Sequence, residues 1–581
     1  MKRHERIFLP PILLVILLSF VATFPGSLAA ISHAVDPSDL SCDVLILNGR
    51  VVDGTGNTWF YGDIAIRGDR IVRITPAGQL KNARAGERID ASGLVVSPGF
   101  IDIQSHSRYA FLRGDGRVIS KVTQGITTEI MGEGWTNAPA NKLTLSIEED
   151  PSPRQQKIIE EYGGPHGFNK WLEDMEKRGT SPNIGSFLGA ATVRMYAKGE
   201  AMGAPTSEEL NAMQEVTRNA MEDGAFGLAS ALIYPPGSFA TTEELITICQ
   251  AMAPYGGVYI THLRSEADKF IEGIDEAIEI GKKGGVPVEI YHLKAAGRRN
   301  WHKMALAIAH IDAARAEGMD IGADMYTYIA GSTGLAACMP PWASADGKLA
   351  ENLTDPEMRK KIHDEILNQK TEWENLGQLA TPENVLILGL RKKENQKYSN
   401  KRLSEIAKEM GRDWVDAAID LLISEGQNIG TIYFMMTEDN LALQMKQPWM
   451  KFGTDASGHD PEKTKTPVHP RAYGTFTRIL GKYVREERVM SLEDAIRKMS
   501  SAVAHRLFIK GRGLLREGFY ADIAIFDPNT VGDRATFENP HQLSVGMHHV
   551  FINGVAVVKD GKHTGAKPGR IVRGPGYRKQ K

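Results

Sequence analysis

Between residues 98 and 505 the chain alternates short apolar runs with helical patterns, the signature of successive βαβ units, and two of those runs end on histidine. Val258-Tyr259-Ile260-Thr261-His262 is followed by a helical stretch from Phe270 to Lys283 and a Gly284-Gly285 stop. Pro287 to His292 then repeats the pattern. A strand that closes on an imidazole, repeated in the next unit, describes the mouth of a parallel β/α barrel, where such folds carry their catalytic groups. Two core histidines bonded to backbone would give the same local pattern. The other strand ends point instead to a metal.

Barrel strands are expected near 98–104, 126–132, 184–189, 225–230, 258–262, 286–292, 319–325 and 449–455. They make an α/β fold, a (β/α)8 TIM-like barrel over residues 98–505. Capping boxes, Thr206 with Glu209 and Thr241 with Glu244, start two of its helices. The interval 327–448 is too long for a connection and carries its own helical (402–424) and strand (384–390, 430–437) patterns. It reads as a lid inserted before strand eight. Residues 43–97 alternate in period two between turn glycines, and the same texture returns over 508–575. These two ends of the chain are expected to pair into one small β-sandwich domain.

Residues 1–34 read as a signal peptide: Lys2, Arg3 and Arg6 precede a nearly unbroken apolar run from Ile7 to Phe24, then small residues at Ser27 and Ala29. Cleavage after Ala29 or Ala34 fits. A retained membrane anchor is the rival, since the run approaches the length of a span, but Pro10-Pro11 and the small residues favour cleavage. The mature protein is therefore expected outside the cytoplasm, periplasmic or extracellular, with no stable membrane insertion. Cys42 has Asp39 three places before it, where a lipidated cysteine needs an apolar residue. Three cysteines, Cys42, Cys249 and Cys338, make no disulfide framework and no thiolate zinc site. A net charge of −2 with scattered basic residues excludes a nucleic-acid surface. Oligomeric state is not written in the sequence.

Four further features fall at strand ends. Strand one closes on Gln104-Ser105-His106, with Gln104 and His106 sharing a face. Strand two closes on Gly132-Glu133-Gly134, strand seven on Asp324-Met325-Tyr326, strand eight on Gly453-Thr454-Asp455. One carboxylate and two imidazoles, Glu133 with His262 and His292, form the ligand set of a catalytic zinc with an open position. Asp455 could then stand beside the metal.

In this ordered set the chain resembles the amidohydrolase superfamily and, within it, the D-aminoacylase (N-acyl-D-amino-acid deacylase) family. The carriers are Pro98 to His106, Gln124 to Thr128, Thr261 to Arg264, Tyr291 to Lys294, Gly453-Thr454-Asp455 and His469-Pro470-Arg471. The likeness spans about residues 43–575. It implies that His262, His292 and the residue closing strand two hold an essential zinc. Well-known members have cysteine there and this chain offers Glu133, a reasonable exchange for zinc. The family's His-x-His after strand one is Gln104-Ser105-His106 here. A neutral amide is a poor ligand, so one zinc is expected to bind tightly and a second site, at Gln104 and His106, to be weak or empty. Lys294, Tyr326, Ser332 and Arg471 lie where the family holds a substrate carboxylate, a role that suits an Arg fork and Lys and Tyr donors. Tyr234 lines the pocket or packs inward, and Asp102 is structural.

The reaction so implied is hydrolysis of the amide in an N-acyl-D-amino acid, a small-molecule substrate. Zinc lowers the pKa of a water from 15.7 towards about 7. Asp455 takes the proton and passes it to the leaving nitrogen. Two alternatives stand beside this one. A sister enzyme could cleave a cyclic amide or a β-linked dipeptide, although its usual strand-four lysine is absent from Ala225 to Ser230. A silent extracytoplasmic ligand-binding barrel would explain Gln104, but not the survival of Glu133, His262, His292 and Asp455 together.

Overall fold

A computed structural model describes residues 40–147, 150–368, 371–426 and 429–579; the expected signal peptide, 1–34, lies outside the described residues. Eight parallel strands follow one another around a barrel: β1 (Phe100–Asp102), β2 (Ile126–Met131), β3 (Asn183–Ser186, resumed at Leu188–Gly189), β4 (Gly227–Ala231), β5 (Val258–His262), β6 (Val288–Ile290), β7 (Ile321–Met325) and β8 (Met450–Phe452). Each pairs in parallel with the next. The ring closes between the first and last strands, where Asp455 N–H donates to the Gln104 carbonyl at 2.9 Å and His106 N–H to that of Ala456 at 3.1 Å.

Several strands are shorter than the apolar runs that mark them. The run 286–292 yields a ladder only over Val288–Ile290, and 449–455 only over Met450–Phe452. The last residues of those runs leave the sheet: His292 and Asp455 have φ of 33° and 49°. Left-handed backbone of this kind is costly for non-glycine residues and concentrates at functional sites. Here it turns two side chains towards the barrel mouth.

Val258 and Ile260 share one face of β5 with His262 and pack with Ile101, Ile103, Ile130 and Tyr291 in one apolar cluster. His262 thus caps a column of hydrophobic side chains. The β1–β2–β8 seam is tied by a buried polar group. Lys121 Nζ lies 2.7 Å from Asp102 Oδ2 and 3.4 Å from Glu129 Oε2, with neither side chain accessible to solvent. Asp102 also accepts from the backbone N–H and the hydroxyl of Thr454, at 2.8 and 2.6 Å. Asp102 is structural, as its place at the start of the barrel implies.

Both ends of the chain meet in one sheet of nine strands, five from Ser41–Val51 to Val95–Pro98 and four from Ile523–Phe526 to Lys562–His563. They join where Val95–Pro98 runs antiparallel to Ile523–Phe526. The segment between β7 and β8 builds a three-stranded antiparallel sheet (Ala330–Gly334, Gly430–Phe434, Val385–Ile387) with helices beside it. Its helical pattern at 402–424 divides into Leu403–Met410 and Trp414–Glu425. Gly411 ends the first in left-handed backbone and Asp413 caps the second.

Of the two expected capping boxes, Thr206 with Glu209 is complete, whereas Thr241 receives the Glu244 N–H without the return bond. The Glu244 carboxylate is taken instead by Arg194 at 2.5 Å, in a pair buried on both sides. A charged partner outcompetes a neutral N–H for the same oxygen. All three cysteines are buried and free. Among the described residues no helix is long and apolar enough to cross a membrane.

Candidate metal centre and active site

Glu133 stands at the centre of the barrel mouth. Gly132 precedes it with φ of 113°, and a Cβ there would meet the Phe187 carbonyl at 2.3 Å, so only glycine allows β2 to turn this closely against β3. The turn presents Glu133 to three imidazoles. Its Oε1 lies 3.5 Å from His262 Nδ1 and 3.4 Å from His292 Nε2; its Oε2 lies 3.3 Å from His106 Nε2. The His262 and His292 rings meet edge to face with centroids 4.5 Å apart. Burial alone would raise the Glu133 pKa, but bonds to His106, His262 and His292 hold it well below the usual carboxylate range. It is an anion at neutral pH.

Potential ligand atoms of Glu133, His262 and His292 all lie within 4.8 Å of one another, and so do those of His106, Glu133 and Asp455. The first group offers two imidazoles and a carboxylate, which suits a zinc with an open position. His262 turns Nδ1 to this group, while its Nε2, on the far side of the ring, is buried without a hydrogen-bond partner and faces Glu266 at 3.6 Å. The donor set fits the metal. In the second group His106 Nε2 bonds Asp455 Oδ1 at 2.9 Å. Gln104, expected at a weak second position, instead turns its amide nitrogen to Glu133 Oε2 at 2.6 Å. It acts here as a donor that orients the shared carboxylate.

Behind the imidazoles lies a residue that sequence reasoning missed. Glu266 Oε1 is 3.0 Å from His292 Nδ1 and 2.7 Å from Lys294 Nζ, and its Oε2 is 3.6 Å from His262 Nε2. Burial works to raise its pKa, but His262, Lys294 and His292 outweigh that and hold it far below the ordinary value. Glu266 lies four positions after His262 in a loop rather than a helix, so spacing alone gives no shared face. On β7, Asp324 Oδ1 accepts the His292 N–H at 2.9 Å and stabilises the turned-out backbone there.

Arg471 Nη1 reaches Asp455 Oδ2 at 2.6 Å, while Nη2 donates to the Ser332 carbonyl at 3.2 Å. Its guanidinium lies 4.6 Å from the centre of the Tyr326 ring. Lys294, Tyr326, Ser332 and Arg471 therefore converge on one side of the mouth. Tyr234 stands across it, its ring 5.5 Å from that of His262 and 6.0 Å from that of Trp135. All these side chains line a cavity of about 480 Å³ with Glu133, His262, His292 and Asp455, and Ser332, Thr333, Glu374, Leu376, Tyr433 and Met435 of the inserted segment complete its wall. Every expected site residue except Gln104 lines that cavity, and Gln104 touches it through Glu133.

A closed (β/α)8 barrel with histidine and carboxylate ligands at its C-terminal mouth defines the class as metal-dependent hydrolase. Residues 449–562 match the amidohydrolase family model. The D-aminoacylase of Alcaligenes xylosoxydans xylosoxydans is 32% identical over 538 residues, 91% of this chain and 97% of that one. The N-acyl-D-glutamate deacylase of Bordetella bronchiseptica, solved with zinc and a phosphonate mimic of the tetrahedral intermediate, superposes with a TM-score of 0.74 at 30% identity, covering 92% and 100% of the two chains. A D-aminoacylase described as having a binuclear centre, activated by one metal and attenuated by a second, gives 0.74 at 32% identity over the same shares. The chain belongs to the D-aminoacylase (N-acyl-D-amino-acid deacylase) family of amidohydrolases.

Proposed function

We propose that this protein hydrolyses the amide bond of N-acyl-D-amino acids, giving a carboxylate and a free D-amino acid, with one zinc held by Glu133, His262 and His292. The observation that carries the reading is the convergence of those three side chains within 4.8 Å, with Asp455 beside them. Zinc at that place supplies Lewis acidity, polarising the amide carbonyl and making water a competent nucleophile at neutral pH.

Burial would raise the Asp455 pKa, but Arg471 and then His106 hold it below the usual carboxylate range. Asp455 therefore begins as a base, and its Oδ1 takes a proton from the attacking water. The C–N bond cannot break with an amide anion leaving, so the same oxygen returns that proton to the nitrogen. Lys294, Tyr326 and Arg471 offer donors to the α-carboxylate. Fixing the carboxylate and the carbonyl together leaves one hand of the α-carbon able to present its amide.

The absence of lysine from β4, Gly227–Ala231, argues against the carbamylated site of a cyclic-amide enzyme. A silent binder has no need of Asp455 held as a base. Export is part of the same proposal and rests on the basic and apolar order of residues 2–29; the N-terminal sequence of the protein recovered outside the cytoplasm tests it. Acetate release from N-acetyl-D-methionine and N-acetyl-L-methionine by zinc-loaded enzyme tests the activity. Turnover of the D form alone is expected, and turnover of neither, or of L in preference, overturns the assignment.

A further inference from the structure

Three cations line the catalytic cavity, and two of them are already matched to acids: Lys294 to Glu266 at 2.7 Å and Arg471 to Asp455 at 2.6 Å. The third, Arg108, has no such partner. Among the described residues no carboxylate lies within ion-pair distance of it. One of its five N–H donors, on Nη1, is given to the Trp135 carbonyl at 2.5 Å, and the guanidinium carbon lies 4.9 Å from the centre of the Tyr109 ring. The group is thus held on the cavity wall by a backbone oxygen and by Tyr109, through its ring and its hydroxyl, with no carboxylate beside it. Burial pushes its pKa down, the direction expected of a cation short of an anion.

Its place in the barrel gives the direction from which an anion would come. Lys294 and Tyr326 follow the ends of β6 and β7, and Arg471 opens the helix Arg471–Arg478 beyond β8, its guanidinium drawn to the β7 side by Tyr326 and Ser332. Arg108 follows β1 and is tied to Trp135, which follows β2. Asp455 bonds Arg471 through Oδ2 and His106 through Oδ1, and His106 lies two residues before Arg108 in the chain. A substrate whose α-carboxylate sits at Lys294 and Arg471, with its amide at Glu133 and Asp455, has its acyl group left to extend towards Arg108.

We propose that Arg108 recognises a carboxylate at the far end of the acyl group, making this site selective for N-acyl-D-amino acids derived from a dicarboxylic acid, such as N-succinyl substrates. The assignment rests on the hydrolase reading above. Guanidinium pairs with carboxylate through two parallel N–H bonds, a geometry that lysine does not reproduce. A carboxylate on the amino-acid side chain is the other source of the same chemistry, and the test separates the two.

The experiment compares kcat/KM for N-succinyl-D-methionine, N-acetyl-D-methionine and N-acetyl-D-glutamate in wild type, Arg108→Gln and Arg108→Lys. Wild type is expected to prefer the succinyl over the acetyl substrate by about tenfold or more, the range of one charge-assisted bidentate contact. Arg108→Gln should abolish that ratio, chiefly through KM, and Arg108→Lys should restore it only in part. The ratio of N-acetyl-D-glutamate to N-acetyl-D-methionine should not move. A succinyl preference that is absent, or that survives Arg108→Gln, overturns the assignment, and so does a loss confined to the glutamate substrate. If no substrate turns over, the hydrolase reading fails, and calorimetric binding of succinate against acetate still decides the subsite. Equal succinate binding by wild type and Arg108→Gln contradicts it.

Discussion

Glu266 Oε1 lies 3.0 Å from His292 Nδ1, the ring nitrogen opposite the one that faces Glu133. The same carboxylate stands 3.6 Å from His262 Nε2. One buried acid thus backs both imidazoles, fixing which nitrogen each presents to the centre and raising its basicity. Glu266→Gln is expected to weaken zinc binding about 10–100-fold, with activity partly regained in excess zinc. Competition against a chromogenic chelator measures it, and unchanged affinity would show that Glu266 serves only Lys294.

Asp455 is assigned proton transfer and no essential share of the first metal group. Asp455→Asn should keep its zinc and lose about 10²–10⁴ in kcat. His262→Ala should lose zinc and activity together. Metal analysis beside the rate constants separates the two outcomes; full activity in Asp455→Asn removes the shuttle.

Among the described residues, the buried Lys121 is the one cation paired with Asp102 and Glu129 in the seam between β1, β2 and β8. Lys121→Met leaves two acids facing each other without compensation, a change that costs roughly 3–5 kcal/mol in buried pairs. Urea unfolding should show that loss. A smaller one would mean that one of the acids already carries a proton.

Burial first, and the charge of Glu266 second, push the Glu374 pKa from 4.5 up to about 8. Its Oε2 accepts the Glu266 N–H at 2.6 Å, while Oε1 is buried with no partner, a natural seat for a proton. A carboxyl raised in the folded state binds more protons there than in the unfolded chain, so its contribution is present at low pH and is lost as pH rises through the folded pKa. Relative to Glu374→Gln, wild type should therefore lose stability between about pH 5 and 8, by at most about 1.4 kcal/mol per pH unit. Denaturation profiles of the two that run parallel would contradict it.

Much of this site can be read from residue order, because a barrel places its chemistry at strand ends and a strand end is visible as an apolar run stopping on a polar residue. His262, His292, Tyr326 and Asp455 are legible in that way. The alternation that sets the face of Gln104 says nothing of its partner, the Glu133 carboxylate 2.6 Å away. Glu266 and Glu374 sit on loops, and Arg108 opens the short helix Arg108–Leu112, so their directions depend on contacts distant in the chain: Glu374 bonds a backbone group 108 residues away. The segment between β7 and β8 was recognisable by its length, but not the cavity wall that Thr333, Tyr433 and Met435 form from it. No periodicity encodes which loop side chains turn inward.

X-ray absorption at the zinc edge of the purified, active enzyme tests the central claim most directly. Two imidazole nitrogens near 2.0–2.1 Å with carboxylate oxygen, and no sulfur at about 2.3 Å, are expected from Glu133, His262 and His292; Glu133→Cys should add the sulfur shell. A sulfur shell in the wild type, or fewer than two imidazoles, contradicts the assignment.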